Sequence, residues 1–258
     1  MKLVYLFFLS VIILTSCIKK KDAIVPNGQT LHDRFPVPDG FTEDKAPLKS
    51  YAKYLKEYPL KLHTHKARYW NGRENTNYAY AAVLDLKIFA GRDLEQCADV
   101  IMHVKSDYHK SRKEYTSLTF STFGNQKVVY KGNYQKFLLE AFDRCNTQSL
   151  NQDLVQVTDA IKAGDVFNRW KRGKTGHILL VLRVARDSDG NEIFQLAQGG
   201  TPAHEMQVIY NERLFSSFNY WFTLDGLPQR FKAKNLYRFK QTKRRPEIAT
   251  KSIKRGLN

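Results

Sequence analysis

Cysteine, methionine and tryptophan are scarce in this 258-residue chain, with three of each. So few cysteines exclude a small scaffold stapled by disulfides. There is no Cys-x-x-Cys, which removes the zinc-ribbon and thioredoxin-type readings. No glycine-rich phosphate-cradling loop is present, and no repeat recurs at solenoid periods. After the first fourteen residues no apolar run is long enough for a transmembrane helix. Negative charge is also short: 25 Asp and Glu stand against 42 Lys and Arg, a net charge of +17. That surplus points to anionic partners. Aromatic content of 13% argues against disorder.

What is present begins with an address. Lys2 precedes a run from Leu3 to Leu14 that is almost wholly apolar, followed by Thr15, Ser16 and Cys17. The run is too short to span a bilayer as a permanent helix and fits a signal peptide. Leu14-Thr15-Ser16-Cys17 resembles the lipobox of bacterial lipoproteins. The resemblance implies removal of residues 1–16 and attachment of lipid to Cys17. Two or more acyl chains anchor stably where one does not. The expected partners are a lipid bilayer, through acylated Cys17, and peptidoglycan or another anionic envelope polymer. An exported protein rarely meets nucleic acid, so none is expected. The location implied is the cell envelope, facing the periplasm.

Residues 17–33 read as a lipidated tether, 34–240 as one domain, and 241–258 as a basic tail. Leu48, Tyr51, Ala52 and Leu55 recur at helical spacing, predicting a helix from Pro47 to Tyr58. Leu60 to Trp70 reads as extended, and Asn71-Gly72 as a hairpin turn with a return strand through Tyr78, Tyr80, Ala82 and Leu84. The stripe Leu94, Cys97, Ala98, Ile101, Val104 and Tyr108 predicts a helix from Asp93 to about Lys113, with Asp93 and Gln96 as a capping box. Tyr115 to Phe123 reads as a strand, Asn133 to Cys145 as a helix, and Ser149 to Val157 as a short helix. Strands follow at 165–170, 177–185, 192–198, 204–210 and 236–240. Helices first and antiparallel strands later give an α+β class.

Cys97 falls in the first turn of its helix, where unpaired amides and the helix dipole favour a thiolate. It also lies on the apolar stripe, where a free Cys is more often buried and inert. His177 opens the most apolar strand, and a His held there can act as a general base or be purely structural. Gln198 ends the next strand; antiparallel pairing through the turn at Asp187 to Asn191 would bring it near His177. Cys145 is the only other cysteine after Cys17, so pairing with Cys97 stays open. His63 and His65 share a strand face but have no third ligand nearby, so no metal is expected, and no cofactor motif is present.

The order of these pieces is similar to that of the NlpC-type and CHAP-type cell-wall amidases. It runs from Cys97 at a helix start, through Gly164-Asp165-Val166 and Gly176-His177 with its apolar strand, to Gln198. That resemblance implies a papain-like fold with N-terminal helices packed on an antiparallel sheet. It also implies Cys97 as nucleophile, His177 as base and Gln198 as the residue orienting the base. A fuller resemblance is carried by Arg34-Phe35, Gly40-Phe41, Arg92 to Asp99, Gly164 to Phe167, Gly176-His177, Ala197-Gln198 and Pro202-Ala203. These look like the uncharacterised lipoprotein family called domain of unknown function 4846. Where that pattern continues Ser-Tyr-Met-Pro-Ala-Gln after Gln198, this chain has Gly199-Gly200-Thr201-Pro202-Ala203-His204. Two functions therefore stand side by side: a membrane-anchored thiol amidase or peptidase, and an inactive envelope lipoprotein that binds an anionic polymer or a partner protein.

Overall fold

The computed structural model describes residues 24–77, 79–88, 92–211, 219–228 and 230–241. Cys17, the apolar segment before it, Tyr78 and most of the basic tail lie outside them. The described chain is α+β, as its pattern predicts, with its main sheet antiparallel throughout.

Three long neighbours dominate the sheet: β6 (Val166–Lys171), β7 (Lys174–Arg186) and β8 (Glu192–Gln198). Their β-branched and aromatic residues suit a buried pleated surface. Beyond β8 come β9 (Gln207–Ile209) and β2 (Tyr80–Val83). Beyond β6 come β10 (Leu236–Phe239) and β5 (Leu154–Gln156). A two-residue strand, β1 (Thr42–Glu43), pairs with the far end of β7. A separate hairpin joins β3 (Thr119–Ser121) to β4 (Lys127–Val129).

Five short to medium helices lie among the described residues: α1 (Leu31–Arg34), α2 (Tyr51–Lys56), α3 (Cys97–Ser111), α4 (Tyr134–Arg144) and α5 (Thr147–Leu150). The stripe Val100, Ile101, Val104 of α3 and Phe137, Leu138, Ala141 of α4 pack on Ile178, Leu180 and Leu182 of β7. The opposite face of β7, through Leu179 and Val181, is covered by Phe167, Phe194, Phe222 and Phe231. Strand alternation sends Ile178 to Leu182 in turn to these two layers, and a register shift between Val181 and Arg183 interrupts it.

Several expectations change. Residues 24–33 are not tether: Leu31 is fully buried, and Val25 N–H donates to the Arg34 carbonyl at 2.9 Å. The helix at 93–113 begins at Cys97. Asp93 is instead spent on the loop after β8, accepting from Ala203 N–H at 2.6 Å, while Asp99 accepts from Gln96 N–H at 2.8 Å and caps the helix. The helix at 149–157 stops at Leu150, and Leu154 joins β5 against β10. The Asn71-Gly72 turn forms, with Gly72 at φ +81°. The strand after it, however, ladders with β9, and the Leu60 segment meets it only in a bridge to Leu84. Of the strand at 115–123, only Thr119–Ser121 is extended.

The most buried cation among the described residues is structural. Arg183 of β7, 1% exposed, gives a two-pronged pair to Glu43 at 2.7 and 3.0 Å. Its remaining nitrogen meets the Leu31 and Phe35 carbonyls and Gln195 Oε1. A buried guanidinium so fully partnered fixes α1 and β1 to the sheet.

Candidate functional site

Two glycines let the start of α3 approach the sheet closely. A Cβ on Gly176 would sit 2.1 Å from Thr147 Oγ1, and one on Gly199 would sit 2.8 Å from Val100 Cγ2. No side chain can occupy those points, so α3 and α5 come down on the ends of β7 and β8. The loop leaving β8 then braces the helix start: Thr201 Oγ1 donates to Gln96 Oε1 at 3.1 Å.

Cys97 is the first residue of α3 and is 8% exposed. The main-chain N–H groups of Ala98, Ile178 and Cys97 itself lie beside its sulfur. They favour the thiolate, but desolvation outweighs them, and with the Asp99 carboxyl it pushes the thiol up to about 11. Burial also holds the Asp99 carboxyl well above the ordinary carboxylate range, reinforced by Glu95. The two acids therefore oppose each other's ionisation. Asp99 Oδ1 is buried with no hydrogen-bond partner.

His177 and Gln198 come together as strand pairing predicts. Leu180 pairs with Ala197 across β7 and β8, and His177 Nε2 lies 2.8 Å from Gln198 Oε1. An amide oxygen only accepts, so Nε2 carries the hydrogen and Nδ1 keeps the lone pair. The ring rests on Phe231, with centroids 5.9 Å apart. Burial pushes His177 below its usual value, against the pull of Gln198, so the ring is neutral at pH 7.

Cys97 stands differently to these two. The pleat sends His177 to the Leu179 face, while Gly176 and Ile178 face α3. The sulfur reaches the N–H of the peptide that joins His177 to Ile178, yet no hydrogen bond between thiol and imidazole occurs among the described residues. Cys97 opens on a cleft of about 330 Å³ walled by Gln96, Asp99, Cys145, Thr147, Gly176 and Thr201. His177 and Gln198 are not in its wall. Cys145, which sequence left as a disulfide candidate, is a free thiol in that same cleft, as is Cys97.

Nothing in the sequence pointed to Cys145 and Thr147 as cleft residues, whereas Asp99, two places after Cys97, carried a signal. His65, considered with His63 for a metal, meets Glu205 Oε2 at 2.8 Å, and the same oxygen accepts from Arg68 N–H. Among the described residues no group of three or more His, Cys, Asp or Glu is placed to hold a metal ion, and no helix is long and apolar enough to cross a membrane.

Neither a curated protein nor a solved structure matches this chain. A family model matches residues 31–132 and 122–245. With both halves of the described fold covered, the chain belongs to the family described as domain of unknown function 4846.

Proposed function

We propose that this protein is a lipid-anchored envelope protein whose domain is a papain-like thiol hydrolase, cleaving amide or peptide bonds of the cell wall. The observation that carries the reading is the 2.8 Å contact of His177 Nε2 with Gln198 Oε1. It fixes the tautomer that leaves Nδ1 as the base, and the Cys97 sulfur already lies against the next peptide N–H. The β7–β8 ladder ends at Leu180 and Ala197, so β7 has a free edge beside His177. For the proposed reaction the imidazole must come round that edge to meet the thiol.

In the reaction Nδ1 of His177 takes the Cys97 proton and the sulfur attacks the carbonyl carbon. The main-chain N–H of Cys97, at the helix start, donates to the oxyanion. His177 returns the proton to the leaving nitrogen as the C–N bond breaks, and water then releases the acid from the thioester. Gln198 holds the ring throughout.

A second reading, a domain that binds without cleaving, is favoured by one fact: the ring and the sulfur point to opposite faces of β7. Incubation with peptidoglycan stem peptides and with a peptidyl acyloxymethyl ketone separates the two. Hydrolysis supports the thiol hydrolase if new amino groups form and the ketone labels Cys97, and if both are lost in His177→Ala. Intact peptides together with an unlabelled Cys97 support the binding protein instead.

A further inference from the structure

One cation on α3 is handled quite unlike Arg183. Lys105 sits midway along α3 and is half-buried. Its Nζ lies 4.6 Å from the ring centre of Phe239 and 5.3 Å from that of Tyr51. No carboxylate forms an ion pair with it among the described residues. An ammonium drawn out of water without a counter-ion is unfavourable, and two ring faces replace only part of its hydration.

Lys105 opens on a cavity of about 470 Å³, shared with Lys127, Lys240, Thr119, Asp153 and Phe239. Three lysines converge there from α3, from β4 and from the end of β10. The single carboxylate is already engaged: Asp153 accepts from Ser121 N–H and from Ser121 Oγ, both at 2.7 Å. Thr119 Oγ1 is buried and has no hydrogen-bond partner. Lys240 Nζ already donates to the Gln152 carbonyl at 2.7 Å and keeps two further N–H groups. The cavity thus offers a partly desolvated ammonium, two outer ammonium groups and an unused hydroxyl.

We propose that this cavity binds a phosphate group, either free or carried on a lipid headgroup. A phosphate suits it better than a carboxylate. It brings up to two negative charges and three strong acceptor oxygens to three separate donors, and lysines meet it as point charges. The site is independent of Cys97 and stands whether or not the thiol is a nucleophile.

The cavity has its own electrostatic signature. Burial pushes the Lys105 ammonium down to about 8, against the pull of Glu114 and Asp153. Lys127, Lys240, His109 and the Tyr51 hydroxyl are the other titratable groups around it. A bound phosphate restores the counter-charge and holds the ammonium protonated, so affinity falls as pH rises past about 8.

The test is calorimetric titration of the purified protein with inorganic phosphate at constant ionic strength, with acetate as the carboxylate arm. Binding is expected to weaken at least ~10-fold in Lys105→Met and about threefold in Thr119→Val. Should Lys105→Met fail to fold, the wild type still reports, because phosphate should slow acetylation of Lys105 by a water-soluble succinimidyl ester, read by peptide mass spectrometry. Vesicles of phosphatidic acid, compared between wild type and Thr119→Val so that the lipid anchor cancels, distinguish the headgroup from the free ion. Equal binding of acetate, affinity indifferent to both substitutions, or no protection of Lys105 overturns the proposal.

Discussion

Cys97 and Cys145 are the same residue, buried in the walls of one cleft, and they stand at opposite ends of helices. Cys97 begins α3, where main-chain N–H groups point at its sulfur. Cys145 follows the last residue of α4, where carbonyls point outward and its own N–H is used by the Ala141 carbonyl at 2.8 Å. Burial raises both thiols, to about 11 for Cys97 and about 12 for Cys145. Desolvation is common to the two; what opposes it differs, main-chain N–H groups at Cys97 and the Ser149 hydroxyl with Arg144 at Cys145. Of two buried thiols, the one at the positive end of a helix is the candidate nucleophile.

The sharpest way to break that comparison is to remove each sulfur in turn. Cys97→Ala should lower amine release from stem peptides by ~10³-fold or more, whereas Cys145→Ala should leave it within about threefold. If the two losses are equal, helix polarity is not what selects the nucleophile. Removing the base comes next: His177→Ala should cost ~10²–10⁴-fold in kcat, measured on the same peptides.

Gln198 is a positioning residue, so its effect should be smaller and of a different kind. Its hydrogen bond raises the His177 pKa against burial. Gln198→Ala should therefore reduce kcat about tenfold and move the acid limb of the pH–rate profile to lower pH. A purely structural role would leave that limb in place. Asp99→Asn keeps an oxygen to cap α3 but removes the carboxyl that opposes ionisation of Cys97. Alkylation at pH 8 should then quicken severalfold at Cys97, and much less at Cys145.

The smallest effect is on stability. Thiols raised in the folded state hold protons that the unfolded chain loses above about pH 8.5. Stability is then full below that pH and declines as pH rises toward the folded values of about 11 and 12. Urea unfolding midpoints between pH 8 and 10 should fall, and should fall less in either Cys→Ala variant.

How much of this was legible in the sequence differs from one element to another. The stripe of α3, the inward residues of α4 and the pairing of β7 with β8 are local patterns, and the structure keeps them. His177 meets Gln198 because both lie on adjacent strands joined by one short turn. The face on which the ring lies was hidden, because alternation gives parity and not which layer the Cys97 helix will cover. The two-residue strand β1 and the Glu43–Arg183 pair join segments about 140 positions apart, beyond any local signal. Leu154 and Val157 suit a helix turn or a strand equally well, and pairing with β10 decided the matter. Lys105 reads as a solvated helix charge. It becomes buried only because Tyr51 and Phe239 arrive from distant parts of the chain.

The most direct test of the account is the rate at which iodoacetamide alkylates Cys97 between pH 5 and 11, in wild type and in His177→Ala. The account predicts a wild-type limb that titrates below the ordinary histidine value, because His177 must be neutral to take the thiol proton, and the loss of that limb in the variant. A single rise near pH 11, identical in both proteins, would contradict it.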